Sequence, residues 1–372
     1  MFRLPTSVPQ FAVGGNEKLY VMFQDYYNEY RSKNGTKNLS FETRNEEGEI
    51  ISFSEKEKQL NTALKAEIMR VAGINNVNEF PLEVWASHPT LKWASFAVVN
   101  QLIDAVLPDT LIDTIGLYTD VRTIGYGDSA AFDIEARDLF IVSKAGRGMR
   151  QSEIRKQFKG QVTILPELRE LTVSVSLYKV LSGAESLAKF ATKAIRSIES
   201  QLALDAYNAF ATAMGNLTTT AGVTQLKVTG WAVDDFVRLA QKVGAWGSAK
   251  PILIGTQRAL QNVLPDDANY RYDLSSEFVS MGYIKNVFGY DAIALPQVAD
   301  WSTEFAVSIS DTKLWIIAPG NDKLVKLVLE GSTVANTNGA FDNANLAQNT
   351  TLFKSWGVGI ATSSLAAEIA LS

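Results

Sequence analysis

The chain has 372 residues, 46% of them hydrophobic and 20% charged, a balance that supports a packed core and excludes wholesale disorder. Cys is absent and His occurs once, which removes disulfide scaffolds, thiol nucleophiles, zinc-finger spacings, iron–sulfur sites and multi-histidine metal centres. A formal charge of −5, from 35 basic against 40 acidic residues, speaks against a domain that reads nucleic-acid sequence. It suits a surface that faces DNA without gripping it.

The length predicts two or three domains at roughly 150 residues each. No window approaches the roughly 18 unbroken apolar residues of a spanning helix, so no membrane partner is expected. Met1 to Gly15 lacks the apolar region of a secretory signal. No cofactor is expected either.

Residues 1–53 read as an irregular arm, with Pro5, Pro9, Gly14-Gly15 and an aromatic run at Phe23, Tyr26, Tyr27 and Tyr30 that needs a neighbour to cover it. Ser54 with Glu57 forms a capping box, and Leu60, Leu64, Ile68 and Val71 mark one helical face up to Gly73. The lone His88 stands just before Pro89 and reads as a turn or surface histidine rather than a triad member. Phe96, Val99, Ile103 and Val106 predict a helix over 91–107, ended by Pro108.

From Leu117 to Val142 the period changes to two, with Phe132, Ile134 and Ala136 alternating with Asp133, Glu135 and Arg137. A second alternating run carries Leu171, Val173, Val175 and Leu177. Between them, residues 143–160 are rich in Gly and basic side chains. Two strands around a charged tip predict an extended β-hairpin projecting from the body.

Ser182 with Glu185 opens the longest predicted helix, whose apolar positions Leu187, Phe190, Ala194, Ile195, Ile198, Leu202 and Phe210 keep helical spacing to Met214. An α/β stretch follows: a helix over 231–243, a buried strand over 251–255 and a Thr256-capped helix to Leu264. Short strands are expected at 292–295, 305–309, 314–317 and 324–329. Residues 331–350 read as a loop too polar to pack, and 352–371 return to strand or short helix.

Gly125-Tyr-Gly127-Asp-Ser-Ala130 has the outline of a dinucleotide-binding turn, but a strand pattern follows where the fingerprint needs a helix. It reads as a turn at the base of the hairpin. The carboxylates Asp128, Asp133, Glu135 and Asp138 read as a solvated polar face. Lys144, Arg147, Arg150, Arg155, Lys156 and Lys159 gather at the hairpin tip against the single acid Glu153. Without interleaved aromatics for base stacking, this cluster fits an inter-subunit contact or a solvated tip better than a nucleic-acid site.

In order, these elements resemble the major capsid proteins of tailed bacteriophages, the Hong Kong 97-like fold. Leu107-Pro-Asp-Thr-Leu111, Gly127-Asp-Ser-Ala-Ala-Phe132, Val287-Phe-Gly-Tyr-Asp-Ala-Ile-Ala-Leu-Pro296, Ile316-Ile-Ala-Pro-Gly320, Val328-Leu-Glu-Gly331 and Trp356-Gly-Val-Gly359 carry the likeness over about residues 90–372. The resemblance implies an α+β fold with an N-terminal arm, an extended E-loop hairpin, a spine helix in a P-domain, and an α/β A-domain. The corresponding bounds are 1–115 for the arm and helices, 116–180 for the E-loop and 181–224 for the spine helix. The A-domain then takes 225–322, and P-domain return strands with the polar loop take 323–372. The first 90 or so residues are long for an arm, and fit an extra domain, a long arm or a segment removed on maturation.

The resemblance also implies a structural protein, not an enzyme. Copies of the chain would form the pentamers and hexamers of an icosahedral shell around double-stranded DNA, assembled in the host cytoplasm. Scaffolding, portal or decoration proteins are the further partners it implies, with only non-specific proximity to packaged DNA. Some members form an isopeptide bond, for which Lys144, Lys156 or Lys159 and Asn336, Asn338, Asn343, Asn345 or Asn349 are the candidates. Two alternatives stay open: an encapsulin-like compartment shell, and a small-molecule-binding α/β enzyme centred on 230–320.

Overall fold

The computed structural model describes residues 17–33, 51–74, 89–116, 119–135, 159–175, 185–219, 226–247, 249–263, 282–300, 306–318, 323–337, 348–361 and 365–371. Its helices are α1 (Glu17–Lys33), α2 (Phe53–Ala72), α3 (Pro89–Ile115), α4 (Leu187–Thr219), α5 (Val233–Gly247) and α6 (Gln257–Leu260). The strands up to the α/β region are β1 (Thr119–Ile124), β2 (Ala130–Glu135), β3 (Lys159–Ile164), β4 (Glu167–Val175) and β5 (Lys227–Thr229). They continue as β6 (Ile252–Thr256), β7 (Asn286–Val287), β8 (Tyr290–Leu295), β9 (Ala299–Asp300) and β10 (Ala306–Val307). The last four are β11 (Lys313–Ile317), β12 (Val325–Thr337), β13 (Gln348–Ile360) and β14 (Ala366–Ala370).

The aromatic run near the start is covered by its own chain, which corrects the expectation of an arm in want of a neighbour. Phe23, Tyr26 and Tyr27 are fully buried on α1. Tyr26 stacks on Phe53 of α2 with ring centroids 4.8 Å apart, and Tyr27 donates to Glu199 of α4 at 2.8 Å. Lys56 ties α2 back to α1 through Asp25 and Glu29, at 3.0 and 2.8 Å.

Ser52, two residues earlier than expected, caps α2 by accepting from the Glu55 amide, and Gly73 ends the helix at φ 73°. Leu60 and Leu64 are buried on its inner face, each worth about 1.5–3 kcal/mol against exposure. α3 runs through Pro108 instead of stopping there. The proline forfeits one ladder bond, but Leu107 and Leu111 on either side are fully buried, and their packing carries the helix past it. Ser186 supplies the α4 cap by accepting from the Lys189 amide. The 33 residues of α4 make a rod of about 50 Å that crosses the core.

Two sheets pack on this frame. The first has the order β1-β12-β13-β4, with β1 parallel to β12 and the rest antiparallel. Its inner face meets α3 and α4 through Leu327, Leu329, Leu352 and Trp356. The segment 331–337 and residues 348–350, expected as unpacked loop, are strand: Val334–Thr337 pair with β13 and residues 348–350 pair with β4, and these ladders satisfy the backbone whatever the polarity of the side chains. Residues 338–347 lie outside the described residues.

The second sheet is mixed, in the order β5-β14-β11-β6-β8-β7, with α5 against one face and Phe236, Leu239, Leu253, Leu314 and Ile369 in its core. β14 belongs here, paired with β11 and β5, so the chain's last strand leaves the strands 325–360 rather than staying with them.

The hairpin is real but its return strand differs from the expected one. β2 pairs with β3 in the register Ala130↔Ile164 to Glu135↔Lys159. The alternating run at 167–175 is β4, which pairs with β13 in the first sheet. Period-two alternation identifies a strand but names no partner, and 159–164 was hidden inside the basic stretch.

Candidate functional site

At the root of the hairpin β2 and β3 are mounted on the first sheet. The turn Gly125–Asp128 precedes β2, with Gly127 at φ 77° and no helix behind it, so the nucleotide-binding outline is only a turn. The Gly127 amide donates to Glu330 Oε1 at 2.8 Å, and Tyr126 Oη donates to the Ser332 carbonyl at 2.7 Å. The Tyr126 ring lies where a side chain on Gly331 would stand, at 2.5 Å from a Cβ there. Gly331 sits at φ 54° in the irregular stretch of β12 between Glu330 and Val334.

Asp104 of α3 clamps that bulge from the inside. Its carboxylate accepts from the Thr333 amide at 2.8 Å, from Thr333 Oγ1 at 2.6 Å and from Lys354 Nζ at 2.8 Å. Lys354 also donates to the Gly331 carbonyl at 2.7 Å, and its side chain is only 7% exposed. A nearly buried ammonium thus has a carboxylate and a carbonyl as partners, the pairing that burial of a charge requires.

The hairpin rests on the outer face of the sheet through a small core of Ala130, Phe132, Ile164 and Val328. Phe132 is fully buried, with the Arg122 guanidinium 4.1 Å from its ring centroid and Lys326 Nζ 5.6 Å away. Both are at cation–π range, and Asp120 pairs with each cation at 3.3 and 3.8 Å. Beneath Ile164 and Leu165 the sheet carries Gly357 and Gly359, whose lack of side chains lets the strands cross closely.

Of the basic residues expected at the hairpin tip, Lys144, Arg147, Arg150, Arg155 and Lys156 lie outside the described residues. Lys159 is described, and it begins β3 opposite Glu135 rather than standing at a tip. It pairs with Asp133 at 2.8 Å, both side chains more than half exposed, a contact worth about 0–1 kcal/mol. Asn336 and Asn349 fall within the strand ladder, opposite Thr351 and Ser174; Asn338, Asn343 and Asn345, like His88, lie outside the described residues.

Sequence reasoning missed Asp104 and Lys354, which are far apart in the chain, and the two leucines Leu165 and Leu168, exposed at 74% and 65%. The glycines of Trp356-Gly-Val-Gly359 had a readable signal: glycine on alternate positions of a strand marks close approach on one face.

Other large apolar side chains also stand in solvent, among them Trp93, Trp246 and Phe288. In the α/β region an open hollow of about 730 Å³ lies beyond the ends of β6 and β8. Its acid, Asp311, is already taken: Thr256 Oγ1 donates to it at 2.7 Å and Gln297 Nε2 at 2.8 Å. Among the described residues no helix is long and apolar enough to cross a membrane.

Comparison with known proteins gives this geometry a family. The family model of the SPbeta prophage-derived capsid protein YonB matches residues 36–369. No curated protein matches the chain. Among solved structures, the bacteriophage PhiM1 mature capsid is similar at 10% identity and a TM-score of 0.47, covering 69% of this chain and 86% of its own. The cyanophage P-SCSP1u capsid is similar at 13% identity and 0.45, covering 68% and 86%. The virus-like particle from Pyrococcus furiosus is similar at 13% and 0.42, covering 71% and 95%.

The observed order is helices, projecting hairpin, 33-residue helix, six-stranded α/β sheet and returning strands, the α+β order implied by the Hong Kong 97-like resemblance. The chain belongs to the YonB family of SPbeta prophage-derived capsid proteins, and is a structural protein of the phage shell rather than an enzyme.

Proposed function

We propose that the chain is the major shell-forming subunit, which assembles with copies of itself into the pentamers and hexamers of an icosahedral capsid around double-stranded DNA. The family match over residues 36–369 carries this reading. The physical support is a two-stranded hairpin that, among the described residues, buries only Ala130, Phe132 and Ile164 of its own against Val328 of the sheet, held out on one face of a large body. Such an element gains its second cover from a neighbour, and many modest contacts of this kind add up in a closed shell.

In this reading the E-loop is the β2–β3 hairpin with the segment between. The P-domain is α1 to α4 with the sheet β1-β12-β13-β4, and the A-domain is the six-stranded sheet with α5. The basic residues Lys144, Arg147, Arg150, Arg155, Lys156 and Lys159 contact an acidic patch on the next subunit. Assembly takes place in the host cytoplasm, with scaffolding, portal or decoration proteins as further partners. Mass photometry over a concentration series tests the core of it. Species of five and six subunits growing with concentration are expected; a single monomer mass at every concentration, with or without co-expressed scaffold, contradicts it.

A further inference from the structure

β4 is one edge of the four-stranded sheet: β13 pairs with one side of it, and among the described residues no strand pairs with the other. Glu167, Leu168, Arg169 and Glu170 are exposed in succession, whichever face each points to. Leu168 projects from the outer face and Leu165 stands just before the strand, both mostly in solvent. An open edge with bare leucines is a liability for a chain that stays single, and natural sheets normally block it with charge, a bulge or proline. Here Pro166 stands at the start of the strand and limits the free edge to the residues after it, where the charges of Glu167 and Arg169 are arranged in a pattern complementary to itself.

We infer that β4 pairs antiparallel with the β4 of a second copy, across a two-fold axis at Leu168. In such a pair each residue faces the one reflected through the centre, so the centre decides which charges meet. A centre at Glu167, Arg169 or Glu170 sets a charge against its own like. A centre at Leu171 or Thr172 leaves Arg169 facing Val173 or Val175. With the centre at Leu168, Leu168 meets Leu168 of the second copy, and each Glu167 meets the other copy's Arg169. The interface then holds an apolar centre flanked by two opposite-charge pairs, the arrangement that stabilises cross-strand neighbours.

Arg169 is held in place for this. Its guanidinium is 3.7 Å from Asp205 and 5.8 Å from the Trp356 ring centre on the inner face, while its side chain stays 45% exposed. It also lies 3.4 Å from Glu167 of its own chain, so the two charges that would meet the copy already sit side by side. The inference rests on the shell reading, since a self-complementary two-fold contact joins subunits of neighbouring rings.

The absence of Cys from the chain makes the test direct. Residues opposed across an antiparallel pair have Cα atoms about 4.5–5.5 Å apart, within disulfide reach. Purified particles of Leu168→Cys, treated with a mild oxidant or a short bismaleimide, are expected to give covalent dimers on non-reducing gels. Glu170→Cys is the control, because in this register residue 170 is more than about 13 Å from its copy.

Dimers from the Leu168 variant and none from the control support the strand pair. Intact Leu168→Cys particles without dimers, or equal dimers from both variants, overturn it and leave the shell reading standing. If the cysteine variant forms no particles, Leu168→Ser decides: normal particles overturn the contact, and a well-folded chain that no longer assembles supports it. A wild-type chain that forms no particles at all overturns the shell reading and this inference with it.

Discussion

Ile164 occupies the space that a side chain on Gly359 would need: a Cβ there would come within 2.7 Å of Ile164 Cδ1. Two residues earlier, a Cβ on Gly357 would lie 2.7 Å from the Leu165 carbonyl oxygen and 2.9 Å from Ile164 Cγ2. The hairpin's angle of departure is therefore set by two missing side chains on the strand it crosses.

Gly357→Ala is expected to destabilise the chain by about 1–3 kcal/mol, the usual cost of overpacking, because the obstacle is backbone and cannot rotate away. Gly359→Ala is expected to cost less, since Ile164 can move its terminal methyl. Urea unfolding of both variants checks the order, and equal stability for wild type and Gly357→Ala would contradict it.

Asp104 holds the bulge and the Lys354 ammonium together. Asp104→Ala leaves a nearly buried charge without its carboxylate and is expected to cost about 3–5 kcal/mol. Asp104→Asn keeps the shape and two of the hydrogen bonds, and is expected to cost less. Hydrogen exchange should show the loss concentrated at 330–337. Uniform loss over the chain would argue that Asp104 is only one contact among many.

Tyr26 and Tyr27 are neighbours with opposite expectations. Tyr27 donates to Glu199 at 2.8 Å, whereas the Tyr26 hydroxyl is buried with no hydrogen-bond partner among the described residues. Tyr27→Phe should cost about 1.5–3 kcal/mol, the range for a hydrogen bond to a charged group, while Tyr26→Phe should be neutral or stabilising. Burial first, then Glu199, holds the Tyr27 phenol well above its ordinary value; burial first, then Glu57, does the same for Tyr26. The folded state thus keeps protons that the unfolded chain releases above about pH 10, so this stability is complete below that pH and falls as pH rises further. Denaturation at intervals from pH 7 to 11 should show that decline, with a shallower one in Tyr27→Phe.

Phe288 takes φ 50° beside Gly289 at φ 87°, in the two-residue turn between β7 and β8, while its ring is half exposed. Both positive angles belong to the turn that Asn-Gly makes without strain. Phe288→Asn should raise the stability of the chain by about 1 kcal/mol or more. A melting temperature equal to or below wild type would contradict it.

The local signals in the sequence reported local structure well. Apolar residues at helical spacing found α4, and Leu60, Leu64 and Ile68 found α2, because a helix closes its hydrogen bonds within its own segment. Thr256 caps α6 as its place in the sequence predicts, accepting from the Ala259 amide. Strand pairing is a choice among distant segments, on which local alternation is silent: β4 pairs with β13 rather than within the hairpin, and the polar half of β12 is strand rather than loop. The aromatic cluster on α1 was legible as apolar surface, but its cover, α2 and α4, lies up to 172 positions away at the Tyr27–Glu199 bond. Asp104 and Lys354 carry no motif at all, since the bulge that joins them exists only in the folded sheet.

Electron microscopy of the purified chain, expressed alone and with a co-expressed scaffolding protein of the proposed kind, tests the central claim most directly. The account predicts closed shells, or rings of five and six subunits with a hairpin projecting from each. A compact monomer under all of these conditions, whose residues 130–164 exchange amide hydrogens as slowly as the core, would contradict it.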